Sequence, residues 1–228
     1  MIPAPFHLAG ERLMLDPSGA LFWPARRLLA VADLHLEKGS HFAARGGRFV
    51  PPYDTRETLG RLAPLLRRYR PARVVALGDS FHDADGHARL APSDAALLAR
   101  LVEGTDLVWV LGNHDPAPPV GLPGRAAEEW REGPIAFRHI GGDAAPEISG
   151  HFHPKATAPT RGGGVTRPCF VADARRILMP AFGAYTGGLD ARDPAIGALF
   201  PRGARLFLLG RERLFSLPAP ALRRAVPA

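Results

Sequence analysis

Residues 73–79, Arg73-Val74-Val75-Ala76-Leu77-Gly78-Asp79, decide how this chain is read. The apolar run is valine-rich, shows no polar alternation and is too short for a helix. That pattern belongs to a strand buried on both faces, as in parallel sheet. It stops at a glycine followed by a carboxylate. Residues 107–115, LVWVLGNHD, repeat the design, with Gly112 followed by Asn113. Residues 27–33, RLLAVAD, are a third apolar run, closing on Asp33 without the glycine. PEISG, residues 146–150, brings Gly150 before His151.

Helical patterns separate these strands. Asp54-Thr55 offers an N-cap, and Leu59, Leu62, Leu65 and Leu66 have helical spacing. Pro64 predicts a kink or an early stop. Ser93 to Val102 reads as a second helix capped by Ser93. Before the first strand, Glu11–Leu15 and Ala20–Trp23 flank the turn residues Asp16-Pro17-Ser18-Gly19 as a hairpin. After Pro134 the segments IAFRH, PEISG, RPCFVAD, RILMP, ARLFLL and RLFSL are short and strand-like. Alternating strands and helices followed by a β-rich half predict an α/β fold, one domain over residues 1–228, with two packed sheets and helices outside.

Composition bounds the function. No run approaches the roughly 18 apolar residues of a membrane span, and no membrane partner is expected. The start, MIPAPFHLAGERL, has neither a basic nor an apolar leader character. The single cysteine, Cys169, excludes an intrachain disulfide and reads as a small buried hydrophobe. Together these predict a cytoplasmic protein. The formal charge of +7 points to an anionic partner such as nucleic acid. Only Lys38 and Lys155 are lysines among the 29 basic residues, so part of that charge reflects an arginine-rich coding bias.

Sites in open α/β sheets form at the carboxyl ends of strands. The strand ends therefore gather Asp33, Asp79, Asn113 and His151 at one edge. Asp33/His35 and His151/His153 are spaced two apart, so in extended chain each pair faces one side. Adjacent Asn113 and His114 point apart, leaving one for metal and the other for substrate. The donors are nitrogen and oxygen with no thiolate, which suits Mn, Fe, Zn or Co. A shared carboxylate is the simplest bridge between two cations, and Asp79 is the candidate. His139, before Gly141-Gly142, joins this set. His7, His41 and His87 are background.

ADLHLEKG (32–39), LGDSFHD (77–83), GNHDP (112–116) and GHFHP (150–154) resemble the ordered blocks of the calcineurin-like metallophosphoesterase superfamily. The resemblance implies a four-layer αββα sandwich of two mixed β-sheets flanked by helices, with a dinuclear site between the sheets. One metal would take Asp33, His35, Asp79 and His153, the other Asp79, Asn113, His139 and His151. His114 would contact the substrate phosphate and Asp115 would orient it. PPYDTRETL, GDSFHD, RPCF and PAFGAYTGGLD add a narrower likeness to bacterial ligase-associated DNA damage response endonucleases. That likeness implies a manganese-dependent nuclease acting on single-stranded DNA, associated with a repair helicase and a DNA ligase. One departure is visible: an acidic residue is expected after the fourth-block histidine, and Ile140 stands there.

Two divalent metals would lower the pKa of a shared water, whose hydroxide attacks phosphorus in line with the leaving oxygen. His114 or His82 could protonate that oxygen. Lys38, Arg45 and Arg48 follow the first block and either contact phosphates or sit solvated. Tyr53 and Tyr185 either stack on bases or pack. Two other readings stand beside the DNA endonuclease: a metallophosphatase or nucleotide pyrophosphatase, and a binding module with a degenerate site.

Overall fold

The computed structural model describes residues 1–46, 53–142 and 145–219. In chain order its elements are β1 (Ala4–Leu8), β2 (Glu11–Leu15), β3 (Leu21–Trp23), β4 (Leu28–Ala32), α1 (Lys38–Ala44), α2 (Asp54–Tyr69), β5 (Arg73–Leu77), α3 (Gly86–Arg89), α4 (Pro92–Leu101) and β6 (Asp106–Val110). Then follow β7 (Arg125–Ala127), β8 (Glu129–Glu132), β9 (Ile135–Arg138), β10 (Glu147–Ser149), β11 (Lys155–Thr160), β12 (Gly163–Ala172), β13 (Arg176–Leu178), α5 (Pro194–Leu199), β14 (Ala204–Leu209) and β15 (Leu214–Ala219). One sheet runs β1-β2-β3-β4-β5-β6-β7, antiparallel up to β4 and parallel from there. The other runs β15-β14-β12-β13-β10-β9-β8, with β11 paired to β12. Only β9-β10-β13 is parallel within it.

Strand alternation explains the continuous apolar runs. In β4, Leu28, Ala30 and Ala32 join Ile135, Phe137, Ile148, Phe170 and Ile177 in the core between the sheets. Leu29 and Val31 face the other way, onto Leu59, Leu62, Leu65 and Leu66 of α2. Each face of β4 thus has its own hydrophobic partner, so the sequence has no reason to alternate. The second sheet buries Cys169, Val171, Leu206 and Leu208 against Ile196 and Phe200 around α5. Two mixed sheets therefore face each other, with few helices outside and, among the described residues, a single six-residue helix against the second sheet.

Local corrections follow from packing. Helix α2 continues through Pro64 rather than stopping. Pro64 is exposed, and the leucines on the opposite face hold the helix to the sheet, so the missing backbone bond falls on the solvent side. Asp54 is not the cap of α2. Its Oδ2 accepts the N–H groups of Lys38 and Gly39, capping α1 (2.7 and 3.2 Å). Ser93 is not a cap either, since α4 begins at Pro92 after Ala91. No helix among the described residues is long and apolar enough to cross a membrane.

Candidate metal centre

The strand-end loops are latched side by side. His35 N–H donates to the Asp79 carbonyl, Leu36 N–H to Ser80 and His82 N–H to Leu36, at 2.9–3.0 Å. Gly150 N–H donates to the His139 carbonyl (3.0 Å), and Phe182 N–H to Ala32 (2.8 Å). Sequentially remote blocks are therefore fixed to one another through backbone. The backbone is not extended there: φ is +52° at Asp33, +43° at His35, +76° at His151 and +46° at His153. The two-apart spacing thus does not work by strand alternation, as the sequence suggested. Left-handed turns re-aim each side chain instead.

Glycine is required where the loops meet. At Gly78, φ is +67° and an added Cβ would lie 2.1 Å from His139 Nδ1. At Gly183, in FGAYTGG, a Cβ would lie 2.0 Å from the Leu34 carbonyl oxygen. The second contact explains how that segment closes over the first block, where Lys38 Nζ also donates to the Tyr185 carbonyl (2.9 Å).

Two groups of donors contain a carboxylate, Asp33/His35/His153 and Asp79/His139/His151, and a third, His35/His82/His114, shares His35 with the first; the ligand atoms of each lie within 4.8 Å of one another. His35 Nε2 lies 3.2 Å from His153 Nε2, and Asp33 Oδ1 lies 3.4 Å from His153 Nε2. His139 Nε2 lies 2.8 Å from Asn113 Oδ1 and 3.1 Å from His151 Nδ1. Asp79 stands between the groups: its Oδ2 is 3.3 Å from His139 Nε2 and 3.9 Å from His35 Nε2. Its Oδ1 accepts the His114 N–H (2.9 Å). Asn113 Oδ1 meets His139 Nε2, and His114 Nε2 lies 3.9 Å from Asp79 Oδ2.

Electrostatics favour cations here. Burial, reinforced by His153 and other imidazoles, lowers His35 to about 2, so its lone pairs stay available. Burial likewise lowers His151. Burial alone would raise Asp79, but the hydrogen bond and charge of His139, the His114 N–H and His35 outweigh it and leave the carboxyl at about 2. Burial opposes the charged form of His139 too, yet its bond to Asp79 and the charges of Asp33 and Asp79 raise it overall. Imidazole nitrogens meeting at 3.1–3.2 Å repel unless a proton or a cation lies between them. His139 Nδ1 is buried without a hydrogen-bond partner. The donor set therefore fits divalent metal, with no thiolate in it.

The remaining sequence candidates take definite places. His114 is exposed, and its Nδ1 donates to the His82 carbonyl (2.8 Å). Orientation of this ring, assigned above to Asp115, comes from that carbonyl. Asp115 instead accepts the N–H groups of Ser80, Phe81 and Gly112 (2.8, 3.1 and 3.1 Å), tying two blocks together. Burial, with the Asp79 charge behind it, raises its carboxyl to about 6 despite those bonds. His82 Nδ1 lies 3.2 Å from His35 Nδ1, and its ring stacks on His114 at 5.4 Å. Arg45 is exposed at the far end of α1, and Arg48 lies outside the described residues. Tyr53 and Tyr185 are exposed.

One residue escaped the sequence reading. His41, left as background, has its Nδ1 2.6 Å from Asp83 Oδ2 and its ring 4.8 Å from that of His82. The available signal was Asp83 itself, inside GDSFHD, and the helical position of His41 one turn after Lys38.

Facing mixed sheets with Asp, His and Asn donors collected at their strand ends define a metal-dependent phosphoesterase. The chain belongs to the calcineurin-like phosphoesterase family, whose model matches residues 26–163. Among solved structures it is similar to the Pseudomonas putida nuclease MPE, at 30% identity and a TM-score of 0.73, covering 94% of this chain and 100% of that one. The E. coli phosphoesterase YfcE aligns at 14% identity and a TM-score of 0.40, covering 86% of this chain and 99% of that one. No curated protein matches the chain.

Proposed function

We propose that this phosphoesterase is a manganese-dependent endonuclease that cuts single-stranded DNA in a cytoplasmic repair pathway, in functional association with a helicase and a DNA ligase. One observation carries the nuclease reading: the likeness to the P. putida nuclease spans both chains almost end to end, so it includes the elements outside the shared metal blocks.

Asp33, His35, Asp79 and His153 would hold one cation, and Asp79, Asn113, His139 and His151 the other. When bound, two such cations supply a Lewis-acidic seat for phosphoryl oxygens and lower the pKa of a water that becomes the nucleophile. The chain's own residues do the rest. That water would give up a proton to solvent and bond to phosphorus as the bond to the leaving oxygen breaks. His114 holds a proton at Nδ1 for the His82 carbonyl, which leaves Nε2 facing the centre, 3.9 Å from Asp79 Oδ2. In the imidazolium form, Nε2 carries the proton handed to the leaving oxygen. His82 suits that task less well. Burial, with Lys38 and His41 adding to it, holds it near 4, so at neutral pH it offers a hydrogen bond to the phosphate rather than a proton. Lys38, Arg45 and Arg48 would contact neighbouring backbone phosphates, and Tyr53 and Tyr185 would stack on unpaired bases.

A flexible single strand can bend a phosphate onto the strand-end loops, whereas a duplex must be deformed at a cost of a few kcal/mol. The test is a circular single-stranded DNA beside a linear duplex, with manganese or magnesium. We expect the circle to be opened and degraded, the duplex spared, and manganese preferred, since magnesium favours all-oxygen sites. A surviving circle, with rapid hydrolysis of a mononucleotide or phosphoprotein, would replace this reading with the phosphatase alternative.

A further inference from the structure

Beside the metal centre lies a closed circuit of side chains that the ligand assignment does not use. His41 Nδ1 lies 2.6 Å from Asp83 Oδ2. Asp83 is held by both Nη groups of Arg89 and by the Asp85 N–H (2.9 Å). Arg89 Nε returns to Ser40 Oγ (3.1 Å), the residue before His41. The circuit joins α1 to the GDSFHD loop and lies near the surface, with the His41 and Asp83 side chains 14% and 19% exposed. What it presents to the site is the His41 ring, perpendicular to that of His82 (88°).

His82 needs such a support. Among the described residues its side chain has one hydrogen-bond contact, with His35 Nδ1, and it stacks on the exposed His114. Torsions about an imidazole's χ2 are broad, so neither contact fixes the ring plane. The His41 ring at 4.8 Å, with Phe42 tilted at 5.5 Å, closes off that rotation. We propose that His41, anchored by Asp83 and Arg89, is a positioning residue that holds the His82 ring in the orientation in which it meets the substrate phosphate. This rests on the reading above that His82 faces the phosphate.

The test is a double-mutant cycle of His41→Ala and His82→Ala, reading kcat, KM, metal content and thermal unfolding. Misplacing a reacting group by about 1 Å costs up to ~100-fold, so His41→Ala should lower kcat by about 10- to 100-fold, leaving KM and two bound metals in place. With His82 already removed, His41→Ala should cost nothing more. His41→Phe, which keeps a ring in the same space, should retain more turnover than His41→Ala and serves as the second variant if alanine impairs folding. Additive losses, an unchanged kcat or a lost metal would overturn the proposal. If the wild-type chain prefers another phosphoester to DNA, the same cycle is run on that substrate, so the nuclease reading can fail while this inference stands.

Discussion

Gly78→Ala perturbs the centre without touching a ligand. The new Cβ would stand 2.1 Å from His139 Nδ1, 2.3 Å from its Cγ and 2.4 Å from its Cβ, where contacts under 3.0 Å are essentially never seen. His139 cannot be relieved by a terminal rotation, because its own Cβ is among the clashing atoms. The ring must therefore move by about 1 Å, which costs up to ~100-fold in turnover where a reacting centre depends on it. Alanine at φ +67° adds about 1–2 kcal/mol of backbone strain. The expected chain is destabilised by at least that strain, keeps one metal more firmly than the other, and is about 100-fold slower. Metal content by elemental analysis, thermal unfolding and kcat on a diester measure all three. Two metals and wild-type turnover in Gly78→Ala would refute the argument that the glycine makes room for His139.

Asp79→Asn should lose both metals and activity, because one carboxylate faces both groups of donors; an active mutant retaining two metals per chain would contradict this. His114→Ala should keep its metals and lose about 10²–10⁴-fold in kcat, the range of a general acid; metal depletion in this variant would make His114 a ligand instead. Asp83 supports a pH prediction. Burial raises its carboxyl, but the hydrogen bonds of Arg89 and His41 outweigh that and hold it at about 2, below its ordinary 3.8. A depressed folded pKa gives stability that is present above 3.8 and lost as pH falls toward 2. Asp83→Asn should thus melt below wild type at neutral pH and approach it near pH 2, and a gap independent of pH would refute the pairing.

The parts legible in sequence were those where one physical demand dominated. Val74–Leu77 and Leu107–Val110 had to be apolar on both faces, so they read as buried strands. The polar residues that follow them had nowhere to point but the sheet edge. Asp54 was read as the cap of its own helix because a cap looks local, but a tertiary contact gave it to α1. The left-handed turns at Asp33, His35, His151 and His153 were hidden because glycine normally marks such φ values, and these are not glycines. Strand β1 was missed because it is an edge strand whose alternation, with Phe6 and Leu8 inward, spans few residues. His41 was missed because its role depends on Asp83, 42 positions away.

The central claim is that two cations share Asp79. Crystals grown with manganese and measured for anomalous scattering test it directly. Two peaks are predicted, one beside Asp33, His35 and His153, the other beside Asn113, His139 and His151, with Asp79 contacting both. A single peak, or two peaks with Asp79 bound to one alone, would contradict it.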